Sequence, residues 1–226
     1  DCKNIIYISK NKFRNKNIIN IPLREITKNL KNFNIYSLLM IFAVMRLEKF
    51  KIPIIFESIC NLKSLDGRRQ IFITNGKGDF VVDYAHTVQA YKNIYKDFNM
   101  NKKICTLFGC GGDRDKSKRK MTGKIVDRYS SKIIITQDNS RTEPFKKILN
   151  DILKGIKNLD KVKIIRSRKN AIEYMLQTSS DDRVNFILGK GNEDYILENH
   201  KKIKHNDVNY LKNILKNYEH KIIKDC

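Results

Sequence analysis

From residue 69 to residue 218 two kinds of segment alternate, and this alternation limits the folds open to the chain. Short runs rich in Ile, Val and Phe ("RQIFIT", "FVVDYA" 80–85, "KICTLFG" 103–109, "KIIITQD" 132–138, "VKIIRS", "VNFILGKG" 184–191) are separated by stretches with helical spacing of apolar residues. Those stretches are "TVQAYKNIYKDF" (87–98), the segment around "KMTGKIVDRYS", "EPFKKILNDILKGIKN" (143–158), "RKNAIEYMLQTS" and the closing "HNDVNYLKNILKNY". A strand buried on both faces reads as a continuous apolar run, and parallel strands need a helical crossover between them. The fold class is therefore α/β: a Rossmann-like, mostly parallel sheet with helices on both faces.

The first part of the chain has a different character. Residues 1–31 are rich in Lys and Asn, with two extended pieces, "NIIYIS" and "NIINIPL", that read as strands. "YSLLMIFAVMRLEKF" (36–50) has helical length and is apolar nearly all round, which predicts a buried helix. "IPIIFESICNLKSL" (52–65) predicts a second helix with Pro53 near its start, and "DGRR" (66–69) a turn.

Composition narrows the partners. Forty-six basic residues against 24 acidic ones give a net charge of +22, which favours anionic ligands in general. Lys is spread through the chain alongside abundant Asn and Ile, as an AT-rich coding sequence would produce, and no element clusters Arg with aromatic residues as a nucleic-acid reader does. The five cysteines (Cys2, Cys60, Cys105, Cys110 and Cys226) are odd in number and contain no C-x-x-C, so reduced thiols in a cytoplasm are expected rather than a disulfide framework or a zinc site. No apolar run approaches the roughly 20 residues of a membrane span. The longest, "YSLLMIFAVM", is followed by Arg46 and lacks the flanks of a signal peptide.

In an open parallel sheet ligands bind at the carboxyl ends of the strands. Four loops occupy such ends: "DYAH" (83–86), "GCGGDRDK" (109–116), "QDNSR" (137–141) and "GKGNE" (189–193). None contains G-x-x-x-x-G-K-[ST] or G-x-G-x-x-G, so none is a triphosphate or dinucleotide loop of those kinds. "GCGGDRDK" places Asp113, Arg114 and Asp115 together, which suits a zwitterion, although a solvated turn with local ion pairs has the same composition. In "DNSR" the planar fork of Arg141 matches a carboxylate, while Asp-Asn-Ser is also ordinary turn chemistry. Glu193 offers a carboxylate for an ammonium group, or simply an acid at a helix start. Asp83 suits recognition of a nucleoside hydroxyl, and His86 beside it is either a site residue or structural. Jointly the loops fit a small amino acid bearing both charges.

"VVDYAHT", "FGCGGDRDKSKR", "TQDNSRTE" followed by "ILNDILKGI", and "GKGNEDY" occur in the order and spacing of the Mur ligases, and over residues 33–226 the chain resembles the branch that adds diaminopimelate to the cell-wall peptide. The resemblance implies that residues 1–65 are the C-terminal part of a central ATPase domain and residues 66–226 the ligase C-terminal domain. It implies an ATP-dependent amide ligase of peptidoglycan biosynthesis that joins meso-diaminopimelate to UDP-MurNAc-L-Ala-D-Glu through an acyl phosphate, with ATP and Mg²⁺ as cofactors. By the same resemblance the protein is a cytoplasmic monomer with small-molecule partners and no nucleic acid or membrane.

Residue by residue, Arg114 matches the family's contact to the incoming amino acid. Asp138, Asn139, Ser140 and Arg141 occupy the Asp-Asn-Pro-Arg motif whose Arg holds the distal carboxylate, and Gly189 and Glu193 match the positions that take the distal ammonium. Family members that select lysine lack this Arg. Lysine has no distal carboxylate and would leave a partly buried guanidinium unpaired, a cost of about 1–3 kcal/mol. Arg68, Asp83 and, beside them, His86 fall where the family contacts the ATP nucleoside.

The chain also departs from the pattern. Ser140 replaces Pro, Asn192 replaces His, Val88 and Gln89 replace Pro-Asp, Ser37 replaces an Asn that faces adenine, and Gln70 replaces Glu. Nine residues separate Leu23 from Phe33 where the family has three. The family's phosphate loop, Mg²⁺ ligands, modified lysine and UDP-sugar domain precede the matched region and are not in these 226 residues, so the chain is expected to be a fragment that does not ligate alone and to have no catalytic or metal-binding residue of its own. Two other readings stand beside this one: a non-catalytic amino-acid-binding module and a basic nucleic-acid-binding domain.

Overall fold

The computed structural model describes residues 4–10, 16–22, 35–61, 65–98 and 102–224. The altered spacing between Leu23 and Phe33 lies outside them. The chain divides into two compact units, Asp1–Leu65 and Asp66–Cys226.

In the first unit β1 (Asn4–Lys10) pairs antiparallel with β2 (Lys16–Pro22), in register from Asn4 opposite Pro22 to Lys10 opposite Lys16. Helices α1 (Ile35–Leu47) and α2 (Ile52–Cys60) follow. Leu38 and Phe42 of α1 and Ile55 and Ile59 of α2 are buried, and the Phe42 and Phe56 rings lie 6.3 Å apart. Burial of α1 is one-sided, not all-round as its composition predicts: Met40, Val44 and Leu47 are exposed. Pro53 sits in the first turn of α2, where its missing N–H breaks no helical bond.

The second unit is built on a six-stranded sheet: β3 (Gln70–Phe72), β4 (Asp79–Asp83), β5 (Lys103–Phe108), β6 (Lys132–Ile135), β7 (Val162–Ile164) and β8 (Arg183–Leu188), in the spatial order β3-β4-β8-β5-β6-β7. Only the edge strand β3 is antiparallel to its neighbour. The crossovers are α3 (Val88–Asp97), α4 (Ser117–Tyr129), α5 (Phe145–Leu153) and α6 (Arg168–Gln177), and α7 (Asp207–Lys224) closes the chain. The mostly parallel α/β sheet expected from the alternation is therefore present. The helices end one to several residues short of the apolar stretches that predict them, because turn residues such as Lys154 and Gly155 continue the composition without the helix.

Alternate strand residues face opposite layers. Val81, Ile104, Phe108, Ile133, Ile135, Val184, Phe186 and Leu188 pack with side chains of α3, α4 and α5, while Phe80, Val82, Cys105, Leu107, Ile134 and Ile187 pack with α6 and α7. Both faces are covered, which is why "KIII" and "RVNFIL" read as continuous apolar runs. The hydroxyl of Thr87 caps α3 by accepting from the Ala90 amide at 3.1 Å, and that of Ser167 caps α6.

One element lies outside the expected set. Strands β9 (Tyr195–Glu198) and β10 (Lys201–Lys204) form an antiparallel hairpin across Asn199 and His200, whose φ values are +45° and +62°. A two-residue turn of this kind needs positive φ at both central positions, and Asn-His signals it far more weakly than Asn-Gly.

Candidate functional site

The order β4-β8-β5-β6 brings the four strand-end loops side by side, and a cleft of about 340 Å³ opens among them. Its lining includes Tyr84 and His86 after β4, Gly189 and Glu193 after β8, Gly109, Cys110, Gly111 and Arg114 after β5, and Asp138, Asn139 and Arg141 after β6.

The glycines after β5 allow close approach of the loop after β6. A Cβ on Gly112 would lie 1.9 Å from the Ser140 carbonyl oxygen, and one on Gly109 would lie 2.4 Å from that of Thr136. The amides here serve the protein: Gly112 donates to the Asn139 carbonyl at 2.9 Å and Asp113 to Glu143 at 3.0 Å. Beneath the turn Arg119 is fully buried. It reaches both Glu143 oxygens, at 2.8 and 2.6 Å, Asp151 at 3.1 Å and the Gly111 carbonyl at 3.0 Å. The paired hydrogen bonds from Arg119 outweigh burial and lower the Glu143 carboxyl to about 2.

Arg141 has a left-handed backbone, φ +54°, held by the β9–β10 hairpin: its amide donates to the Leu197 carbonyl at 2.9 Å and its carbonyl accepts from the Asn199 amide at 2.6 Å. Its guanidinium donates only to main-chain oxygens, those of Gly112 at 2.7 Å and Asn139 at 3.2 Å, and no carboxylate pairs with it among the described residues. Arg114 flanks the same glycine turn, is exposed and likewise has no acid partner among the described residues. Ser140, in the place of the family's proline, is buried and its hydroxyl accepts from Gln137 at 3.3 Å.

The β8 side of the cleft is negative. Asn139 donates to Glu193 at 2.9 Å and accepts from the Leu197 amide at 2.8 Å. Tyr84 donates to the other Glu193 oxygen at 3.2 Å. Lys190, 0 % exposed, donates to Glu193 at 2.6 Å and to Asn139 at 3.1 Å and lies 3.7 Å from Asp138. Burial pushes the Glu193 carboxyl up, yet Lys190, Asn139 and Tyr84 together hold it below its ordinary value. Burial and the Glu193 charge raise the Tyr84 hydroxyl. Gly189 has φ +111°, and a Cβ there would come within 2.9 Å of Asp138 Oδ2. In the same lining, burial pushes the Cys110 thiol up to about 12, so it is neutral near pH 7.

The three residues matched to nucleoside contacts separate. His86 lines the cleft, with its ring 4.8 Å from that of Tyr84. The Arg68 guanidinium lies 4.2 Å over the same Tyr84 ring. Both Asp83 oxygens accept main-chain amides, from Arg69 at 2.8 Å and Ala85 at 2.7 Å, so this carboxylate braces the loop. Gln70 accepts from the Gly67 amide at 2.9 Å, Gln89 pairs with Asn93 on α3, and Asn192 and Ser37 are exposed. Lys190 and Tyr84 were not among the expected site residues. The only trace of Lys190 is its position three residues before Glu193 in a strand-end loop.

Among the described residues no group of three His, Cys, Asp or Glu side chains is placed to hold a metal ion, and no helix is long and apolar enough to cross a membrane.

A family model for the Mur ligase glutamate ligase domain matches residues 67–191. The chain is 41 % identical over 191 residues to the UDP-N-acetylmuramoyl-L-alanyl-D-glutamate–2,6-diaminopimelate ligase of Wigglesworthia glossinidia brevipalpis, covering 84 % of this chain and 38 % of that protein. It is 40 % identical over 166 residues to the ligase of the same name from Helicobacter pylori, covering 73 % and 36 %. A solved structure of a ligase of that name superposes with a TM-score of 0.63 at 28 % identity, over 79 % of this chain and 37 % of that one. A pseudomurein peptide ligase type C from Methanothermus fervidus shares the fold, with a TM-score of 0.61 at 16 % identity over 96 % of this chain and 40 % of that one. The chain thus spans under two-fifths of the length of the first relatives it matches.

Proposed function

The chain belongs to the Mur ligase family, and from that premise we propose that its cleft is the amino-acid site of an ATP-dependent ligase that adds meso-diaminopimelate to UDP-MurNAc-L-Ala-D-Glu. Residues 1–65 are then the end of the central ATPase domain and residues 66–226 the C-terminal domain. The observation that carries this reading is Arg141, a guanidinium in the cleft wall with main-chain partners only. Its fork takes a carboxylate bidentately, with Arg114 beside it. Asp138 and Glu193 exceed Lys190 by one charge and leave room for one ammonium. A ligand with a carboxylate and an ammonium at its far end satisfies both, and lysine satisfies only the second.

ATP supplies a phosphoryl group that turns the glutamate γ-carboxylate into an acyl phosphate. The free amine of the diaminopimelate then forms the C–N bond as phosphate leaves and the nitrogen loses a proton. The residues of this chain contribute orientation to that step, holding the distal end of the amino acid so that its amine is presented. Arg68 and His86, about Tyr84, are assigned to the ATP nucleoside, with Asp83 bracing their loop. The setting is cytoplasmic, and the protein acts as a monomer on small molecules.

Isothermal calorimetry of the 226-residue chain tests the site. Binding of meso-diaminopimelate is expected to exceed that of lysine by ten-fold or more, and Arg141→Ala is expected to abolish the difference. Equal binding of the two ligands, or indifference to Arg141→Ala, overturns the reading. The alternative, a binding module without catalysis, shares this cleft. It is overturned if the protein forms the amide from ATP and the two substrates.

A further inference from the structure

Lys is among the residues least often fully buried, and a buried charge needs close partners. Lys190 is 0 % exposed, and its three ammonium neighbours are all groups of the cleft: Glu193, Asn139 and Asp138. Asn139 in turn is fixed by Leu197 of the hairpin. The remaining groups that face this cluster are the Tyr84 hydroxyl on Glu193, the Arg68 guanidinium over the Tyr84 ring, the Cys110 thiol and Tyr91 hydroxyl on the Asp138 side, and the Tyr195 ring 6.0 Å from the Lys190 ammonium. Arg168, under the end of β8, donates to the Leu188 carbonyl and is neutralised by Asp207.

We propose that Lys190 is a positioning residue of the cleft, fixing the Glu193 and Asn139 side chains and cancelling one of two neighbouring carboxylate charges so that the site presents a single net negative charge to a single ammonium group. The proposal rests on the reading of the cleft as an amino-acid site. Without Lys190, Asp138 and Glu193 form a like-charged pair, and one of them takes up a proton at higher pH than either does alone. An ammonium ligand then competes with that proton. Binding therefore falls as pH is lowered from 7 to 5 in a Lys190→Met variant and falls less in the unaltered protein. A residue that only fills space would not create this slope.

Two measurements separate this inference from the reading beneath it. The first is carbon-detected NMR titration of the Glu193 carboxyl, with no ligand present. In the unaltered chain it is expected below the ordinary 4.5 of a glutamate, and in Lys190→Met and Lys190→Gln above it. A Glu193 titration at or above 4.5 in the unaltered protein overturns the proposal without any variant. An unshifted titration in a folded variant does the same. The second is calorimetry with meso-diaminopimelate at pH 5 and 7, where Lys190→Met is expected to lose more affinity than the unaltered chain on going to the lower pH. Parallel pH profiles overturn the role of Lys190. If the unaltered chain binds neither diaminopimelate nor lysine, the amino-acid reading fails while the titration still decides what Lys190 does to Glu193.

Discussion

Two pairs of arginines near the strand ends form two layers, while Arg166 after β7 pairs with Glu198 at the surface. Arg119 and Arg168 lie under the cleft, fully buried, each with paired hydrogen bonds to one carboxylate: Glu143 for the first, Asp207 for the second. Arg114 and Arg141 lie in the cleft wall and pair with no acid among the described residues. The lower layer is internally satisfied and fixes the loops. The upper layer is satisfied on its main-chain side at most, and presents charge to the cleft. A charge that the protein neutralises itself contributes to the fold, and a charge left without a counter-ion beside a cavity is available to a ligand.

The lower layer is where substitution has its largest effect. Asp207 is buried with Arg168 and His205 around it; burial alone would raise its carboxyl, and those two partners hold it well below the ordinary range. Asp207→Ala leaves the Arg168 charge buried without its partner and is expected to cost about 3–5 kcal/mol, read from urea unfolding followed by circular dichroism. Replacing both partners by apolar residues of similar size is expected to restore most of that loss, since the cost comes from the orphaned charge. If the single variant loses under about 1 kcal/mol, Arg168 is not the closed structural pair described, and the division between layers breaks.

Glu143 sharpens the same division through pH. Its carboxyl is lowered from 4.5 to about 2 in the folded chain, chiefly by Arg119. A depressed folded value means that the ion pair contributes fully above the unfolded value, and that the contribution is lost as pH falls from about 5 towards 2. Stability is therefore expected to decline over that window. Glu143→Gln is expected to lower stability near neutral pH by about 1.5–3 kcal/mol and to flatten the decline. Denaturation series at pH 7, 5, 4 and 3 check this, and an equally steep acid limb in the variant would show that other carboxylates carry it.

These pairings explain which parts of the molecule were legible in the sequence. The sheet was, because "KIII" and "RVNFIL" are buried on both faces and read as apolar runs. The composition of the cleft was too, because every strand-end loop of a parallel sheet opens on the same edge. The division of the arginines was not. Arg114 and Arg119 are five residues apart in one charged block, and what separates them is Glu143, brought beneath the block by the turn before α5. Lys190 was hidden for the same reason: its role is set by Asp138 and Asn139, more than 50 residues earlier. The β9–β10 hairpin was missed because its turn is Asn-His and its strands have four residues each, so neither period nor turn chemistry stands out. Yet it holds the backbone of Arg141.

The upper layer is itself uneven, and its smallest expected effect belongs to Arg114. Arg141 is half-buried and its guanidinium is oriented by two carbonyls, whereas Arg114 is exposed with no hydrogen-bond partner among the described residues. An exposed ion pair is screened and must hold a long side chain still, so its worth is about 0.2–1 kcal/mol. Arg114→Ala is accordingly expected to weaken meso-diaminopimelate binding by less than about ten-fold, with the deficit shrinking between 50 and 500 mM salt. The loss from Arg141→Ala is expected to be larger and to change little with salt. Calorimetry of both variants across that range measures the contrast. A loss from Arg114→Ala that matches Arg141→Ala and ignores salt would mean that Arg114 is enclosed when ligand is bound. The exposed rim seen here would then be a surface that closes over the amino acid.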